Sequence, residues 1–175
     1  MTVFPAHEPA KVITQMSKQP KQPEKLQNLL TASNADYDIL LHDETLRSAE
    51  DGVEQGLGDL GDMAPTFILK TENGFMAAII SGETRLSYKK IKKQFGLKNV
   101  ALARPEQVAQ ITGAEVGYVS LINPQLPTII DGRIVRLEKV FGGCGVPQMS
   151  LRISTADLVR ITCATVFDFT EQKQA

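Results

Sequence analysis

The chain has 175 residues, of which 42% are hydrophobic and 22% charged. That is enough for one domain with its own core, and no run approaches the ~18 consecutive apolar residues of a membrane span. A formal net charge of −1 argues against a broadly basic nucleic-acid-coating protein. Cys144 and Cys163 lack metal-ligand spacing, so they read as free thiols in a reducing compartment rather than a disulfide framework.

Residues 1–20 read as a tail interrupted by prolines, with Val12, Ile13 and Met16 able to form a short amphipathic turn. Residues 21–175 read as one domain. Pro23 suits the first position of a helix carrying Leu26, Leu29 and Leu30 on one face, ended by Ser33 and Asn34. Tyr37 to Leu41 is expected as a strand. Ser48 opens a helix with Glu50 and Asp51 in its first turn, and Gly56, Gly58 and Gly61 mark a loop. The apolar runs Thr66–Leu69 and Phe75–Ile80 flank Glu72-Asn73-Gly74, a hairpin signal. Ser87 caps a helix with Ile91 and Phe95 on its buried face and Gly96 past its end. Asn99 to Ala103 is expected as a strand, and Pro105 starts a helix that Gly113 stops. Strands are expected at Thr128–Ile130, Leu137–Phe141, Met149–Ile153 and Thr165–Phe169, with a helix capped by Ser154 before the last. The irregular alternation predicts an α/β (α+β-like) fold, a curved mixed sheet with flanking helices, rather than a doubly wound parallel sheet.

Charge is unevenly placed. Nine acids between Asp36 and Asp62 are opposed only by Arg47, whereas Lys89, Lys90, Lys92, Lys93 and Lys98 crowd into one stretch. No acid stands at i,i+4 to balance the four lysines of the predicted helix. They read equally as a solvated face or as a phosphate-contacting one. The segment Phe141-Gly142-Gly143-Cys144-Gly145-Val146-Pro147 is the most unusual local feature. Its glycines suit close backbone approach and an amide anion site, or simply a loop between strands. Cys144 as a nucleophile needs a base, and only His42 lies outside the tail. A small buried residue is the ordinary reading of Cys144, and a satisfied structural histidine that of His42.

Several segments in register resemble the YbaK/aminoacyl-tRNA editing (prolyl-tRNA-synthetase-associated) family. They are His42 followed by Arg47-Ser48-Ala49-Glu50, Thr66-Phe67-Ile68-Leu69-Lys70 and Leu86-Ser87-Tyr88-Lys89-Lys90. Further along come Ala103-Arg104-Pro105-Glu106 with Thr112-Gly113, Val116-Gly117-Tyr118-Val119-Ser120 and Leu126-Pro127-Thr128-Ile129-Ile130-Asp131. Gly142-Gly143 and Ser150-Leu151-Arg152-Ile153-Ser154-Thr155-Ala156-Asp157-Leu158 complete the set. The match covers roughly residues 24 to 165.

The resemblance implies an aminoacyl-tRNA deacylase acting in trans, with a positioned water attacking the ester and with no metal or cofactor. The implied partners are the tRNA acceptor end and an aminoacyl-tRNA synthetase; the implied setting is the cytoplasm, without membrane. By position, Gly117, Gly142 and Gly143 would border the reacting group and offer amides to the developing oxyanion. His42, Pro65, Tyr118, Ser120, Asp131 and Ser150 would lie at the substrate pocket. Lys89, Lys90, Lys92 and Lys93 would guide the acceptor stem. The chain departs from the pattern at three places. The family's functional lysine falls on Pro65, the second glycine of V-G-G is Tyr118, and the proline after Ser120 is Leu121. Lys70, at an odd offset from Pro65, is expected on the other face of the sheet. A non-catalytic tRNA- or protein-binding module on the same scaffold is the alternative.

Overall fold

The computed structural model describes residues 21–173; the tail expected at 1–20 and its amphipathic turn lie outside them. The helices are α1 (Lys21–Ala32), α2 (Ala49–Glu54), α3 (Tyr88–Phe95), α4 (Pro105–Thr112) and α5 (Thr155–Thr162). The strands are β1 (Tyr37–Leu41), β2 (Thr66–Thr71), β3 (Gly74–Ile79), β4 (Thr84–Leu86), β5 (Val100–Leu102), β6 (Thr128–Asp131), β7 (Lys139–Gly143), β8 (Met149–Ser154), β9 (Thr165–Phe167) and β10 (Thr170–Gln172).

Local chemistry sets several of the helix boundaries. The hydroxyls of Ser48, Ser87 and Ser154 accept from the amides of Asp51, Lys90 and Asp157 at the starts of α2, α3 and α5. Each satisfies a donor that the first turn leaves unpaired. Gly96 and Gly113 end α3 and α4 in the left-handed conformation. Pro23 lies inside the first turn of α1 rather than at its start, because the helix already includes Lys21; proline is tolerated there.

Strands β5-β2-β3-β6-β9 form a five-stranded sheet, antiparallel through β3 and parallel from β3 to β9. Strands β1-β8-β7 form an antiparallel sheet. The two sheets are stitched where the approach to β2 meets β7: Met63 bridges Phe141, and Ala64 N–H donates to the Phe141 carbonyl at 2.7 Å. The expectation of a mixed sheet with flanking helices therefore holds.

The period-two alternation of β3 separates two packing faces. Ala77 joins Ile68, Val108 of α4 and Val119 on one face. Ala78 and Ile80 join Leu69, Ile91 of α3 and Phe169 on the other. Under the three-stranded sheet lies a larger cluster that includes Leu30, Ile39, Leu121, Leu151, Ile153 and Leu158.

Three further expectations need correction. The strand read at Thr165–Phe169 ends at Phe167, and the chain then turns to form β10 against β4; neither of these short strands carries a readable pattern. Phe95 is 38% exposed, being the last residue of α3, and its ring forms a T-shaped pair with Phe167 at 5.6 Å between centroids. The hairpin turn is Glu72-Asn73, with Gly74 paired to Thr71 at φ +117°. The Thr71 hydroxyl accepts from Asn73 N–H and donates to the Gly74 carbonyl.

Candidate functional site

A cleft of about 380 Å³ opens where the two sheets meet. Its walls come from α2 and the loop before it, residues 63–68 leading into β2, the 116–119 turn, and the ends of β7 and β8. Lys173, just past β10, also reaches it.

Three loops lock together around the cleft. Gly117 adopts φ +99°, and a β-carbon there would sit 2.9 Å from the Arg47 carbonyl oxygen. The next residue returns the contact: Arg47 Nε donates to the Tyr118 hydroxyl at 3.0 Å. Tyr118 in turn accepts from Gly145 N–H through its carbonyl at 2.9 Å. Ser120 bridges Gly143, and Leu121 N–H donates to the Gly143 carbonyl at 3.0 Å. The 118–121 segment thus runs along the free edge of β7. The glycine pair is what lets it come so close. A β-carbon on Gly142 would meet Leu121 Cγ at 2.4 Å, and one on Gly143 would meet the Val119 carbonyl oxygen at 2.2 Å.

Of the residues singled out from sequence, Gly117, Gly142, Gly143, Pro65, Tyr118 and Ser150 line this one cleft. His42 stands behind the wall, with Nε2 2.9 Å from Ser150 Oγ. Ser120 is one step from the wall, and its hydroxyl accepts from Ile122 N–H. Asp131 is elsewhere: fully buried, it accepts from the Thr170 hydroxyl at 2.8 Å through Oδ2, while Oδ1 has no hydrogen-bond partner. The lysines of α3 occupy the sheet face opposite to that of α4 and Val119. Lys90 is engaged there. Its ammonium bonds both oxygens of Asp168 at 3.1 Å and the Thr170 carbonyl at 2.8 Å, and holds the Asp168 carboxyl below its usual range. Lys70 is exposed on a separate shallow hollow with Lys92.

Arg47, Glu50, Thr66 and Lys173 line the cleft without having been singled out as site residues. Arg47 and Glu50 were visible in a motif but carried no chemical signal. Thr66 Oγ1 is buried without a partner. Lys173 forms an ion pair with Glu50, Nζ to Oε1 3.4 Å. The Glu50 carboxyl sits below its ordinary range, first through its own backbone N–H and in smaller part through Lys173.

Cys144 is poorly suited to act as a nucleophile. Cys144 is 2% exposed, and burial pushes its thiol up to about 12, so no useful thiolate exists at neutral pH. Among the described residues no group of three or more His, Cys, Asp or Glu could hold a metal ion, and no helix is long and apolar enough to cross a membrane.

Burial lowers the pKa of His42 below its ordinary 6.5, partly opposed by the Asp43 charge. The unfolded chain therefore takes up this proton first, and stability present above the ordinary value is lost as pH falls from there through the lowered folded value. Between pH 7.5 and 5 the melting temperature is expected to fall less steeply in His42→Gln than in the wild type. Parallel melting curves would assign the acid sensitivity to other groups.

Residues 43–161 match the sequence model of the aminoacyl-tRNA editing domain. A proline–tRNA ligase of Thermosipho melanesiensis is 23% identical over 103 residues, which is 58% of this chain and 18% of the ligase. The crystal structure of a hypothetical protein superposes with a TM-score of 0.79 at 27% identity, covering 84% of this chain and 99% of that one. A candidate trans-editing enzyme for prolyl-tRNA synthetase superposes with a TM-score of 0.77 at 22% identity, covering 88% and 99%.

Proposed function

The chain belongs to the aminoacyl-tRNA editing domain family, and on that premise we propose that it hydrolyses the ester joining a wrongly attached amino acid to the 3′-terminal ribose of tRNA. The observation that carries this reading is the single cleft bordered by Gly117 on one side and Gly142–Gly143 on the other. Its size suits an aminoacyl group together with the sugar that bears it.

In this reading the attacking group is water. The buried Cys144 thiol is unsuited to the task, and His42 is turned to Ser150. Water adds to the ester carbonyl carbon, backbone N–H groups at the glycine segments receive the negative charge forming on oxygen, and the ribose hydroxyl leaves. Each such donor contributes about 10²–10³ in rate where it has been removed from other hydrolases. Apolar side chains such as Val116, Val119, Phe141 and Met149 favour an uncharged aminoacyl side chain, selected by fit. Similarity to part of a proline–tRNA ligase supports a tRNA acceptor end as partner. Lys89, Lys92 and Lys93 are proposed to meet tRNA phosphates away from the esterified end, because α3 packs on the far face of the sheet.

Pro65, which lines the cleft and can supply neither charge nor N–H, favours a second reading: a module that binds aminoacyl-tRNA or a protein without hydrolysing the ester. A panel of tRNAs mischarged with small and medium apolar amino acids separates the two. The deacylase releases amino acid from at least one of them faster than buffer does. Binding without release from any of them, at protein concentrations far above the substrate, would leave the second reading.

A further inference from the structure

We infer that Lys173 and Glu50 form an exchangeable charged clasp at the cleft, Lys173 taking the phosphate of the terminal nucleotide and Glu50 the α-ammonium of the aminoacyl group; this rests on the proposed deacylase reading.

The cleft has three charged side chains among the described residues: Arg47, Glu50 and Lys173. Arg47 is committed through Nε to the Tyr118 hydroxyl. The other two pair with each other at 3.4 Å, with side chains 44% and 58% exposed for Lys173 and Glu50, and Glu50 also meets the Ser48 hydroxyl. A pair this wet contributes little to stability, so opening it costs little. What it offers is complementarity. The end of a charged tRNA carries one anion, the phosphodiester, and one cation, the α-ammonium. The pair presents a cation and an anion at the matching site, and each can exchange its partner for the ligand's opposite charge.

The backbone beneath Lys173 is fixed even though its side chain is not. Strand β10 pairs with β4, Lys173 N–H donates to the Glu83 carbonyl at 3.2 Å, and Thr170 is held from two sides by Asp131 and Lys90. The ammonium is therefore delivered to the cleft from a set position on a flexible four-carbon stem. Its reach to a phosphate would be that of a point charge and would weaken with salt.

The test uses three hydrolysis-resistant probes built on 3′-amino-3′-deoxyadenosine carrying an amide-linked amino acid. One bears a 5′-phosphate, one a free 5′-hydroxyl, and one the 5′-phosphate with an acetylated α-amine. Dissociation constants are measured by calorimetry for the full chain, Lys173→Gln and Glu50→Gln. Lys173→Gln is expected to weaken both phosphate-bearing probes about fivefold, roughly one charge contact, and to leave the 5′-hydroxyl probe unchanged. Glu50→Gln is expected to weaken the two free-amine probes by a similar factor and to spare the acetylated one. Equal losses on all three probes, or none, overturn the clasp while leaving the deacylase reading in place. Failure of the wild-type chain to bind any probe overturns both.

Discussion

Gly143→Ala is expected to cost about 2–3 kcal/mol of folding stability and, on the proposed deacylase reading, to remove ester hydrolysis with it. The added methyl would lie 2.2 Å from the Val119 carbonyl oxygen, 3.0 Å from its carbon and 3.1 Å from the Tyr118 carbonyl oxygen. All three are backbone atoms, so no rotamer change relieves the clash. The 118–121 segment must lift off β7, breaking the bond from Leu121 N–H to Gly143 and straining that from Gly145 N–H to Tyr118. The same movement pulls Gly117 and the Tyr118 ring from their places in the cleft. Gly132→Ala serves as the control: a β-carbon there meets nothing within 4 Å, and its stability should stay near that of the wild type. Urea unfolding midpoints and amino-acid release from mischarged tRNA are the measurements. A Gly143→Ala protein as stable as Gly132→Ala would show that the loop and strand are not in contact as described.

Asp131→Ala is expected to cost about 2–3 kcal/mol, and Asp131→Asn less than about 1. Alanine strands the Thr170 hydroxyl, which is itself 1% exposed, without its acceptor. Asparagine retains an oxygen for Thr170 and places its amino group where Oδ1 now lacks a partner. The loss should be concentrated at β10, so amide exchange across Thr170–Gln172 should accelerate more than across β8. Uniform acceleration, or equal melting temperatures for the two variants, would argue against Asp131 as the anchor of that strand.

Local signals in the sequence were legible where local chemistry decides the outcome. Ser48, Ser87 and Ser154 announce helix starts because a hydroxyl satisfies orphan amides wherever it falls. Gly96 and Gly113 announce helix ends because few other residues accept a left-handed backbone. Met149–Ile153 reads as a strand because both of its neighbours, β1 and β7, bury it. Long-range pairing was not legible. β10 reads Thr-Glu-Gln and acquires its identity only from β4, more than eighty residues earlier, so Lys173 had no reason to be placed at a cleft.

The candidate site shows the same division. Gly142 and Gly143 stood out by composition, yet a strand-edge packing role leaves the same mark in sequence as an amide site. The four lysines of α3 lacked an acid at helical spacing, but the counter-charge of Lys90 comes from Asp168, brought in by tertiary packing. Asp131, placed near the pocket by resemblance, faces the underside of β10 instead. Alternation along a strand distinguishes its two faces without saying what covers either.

The pairing of β1 with β8 joins Tyr37 to Ile153 and Leu41 to Met149, and so ties α2, which follows β1, to the start of β8, both of which border the cleft. Until that long closure happens, a partly folded chain holds the α2 side of the cleft and the Met149–Ser150 side on separate pieces. Competence then arrives in one step rather than by degrees. On the proposed deacylase reading, a half-made copy, released early or trapped during refolding, would carry the right residues without the assembled cleft that hydrolysis needs.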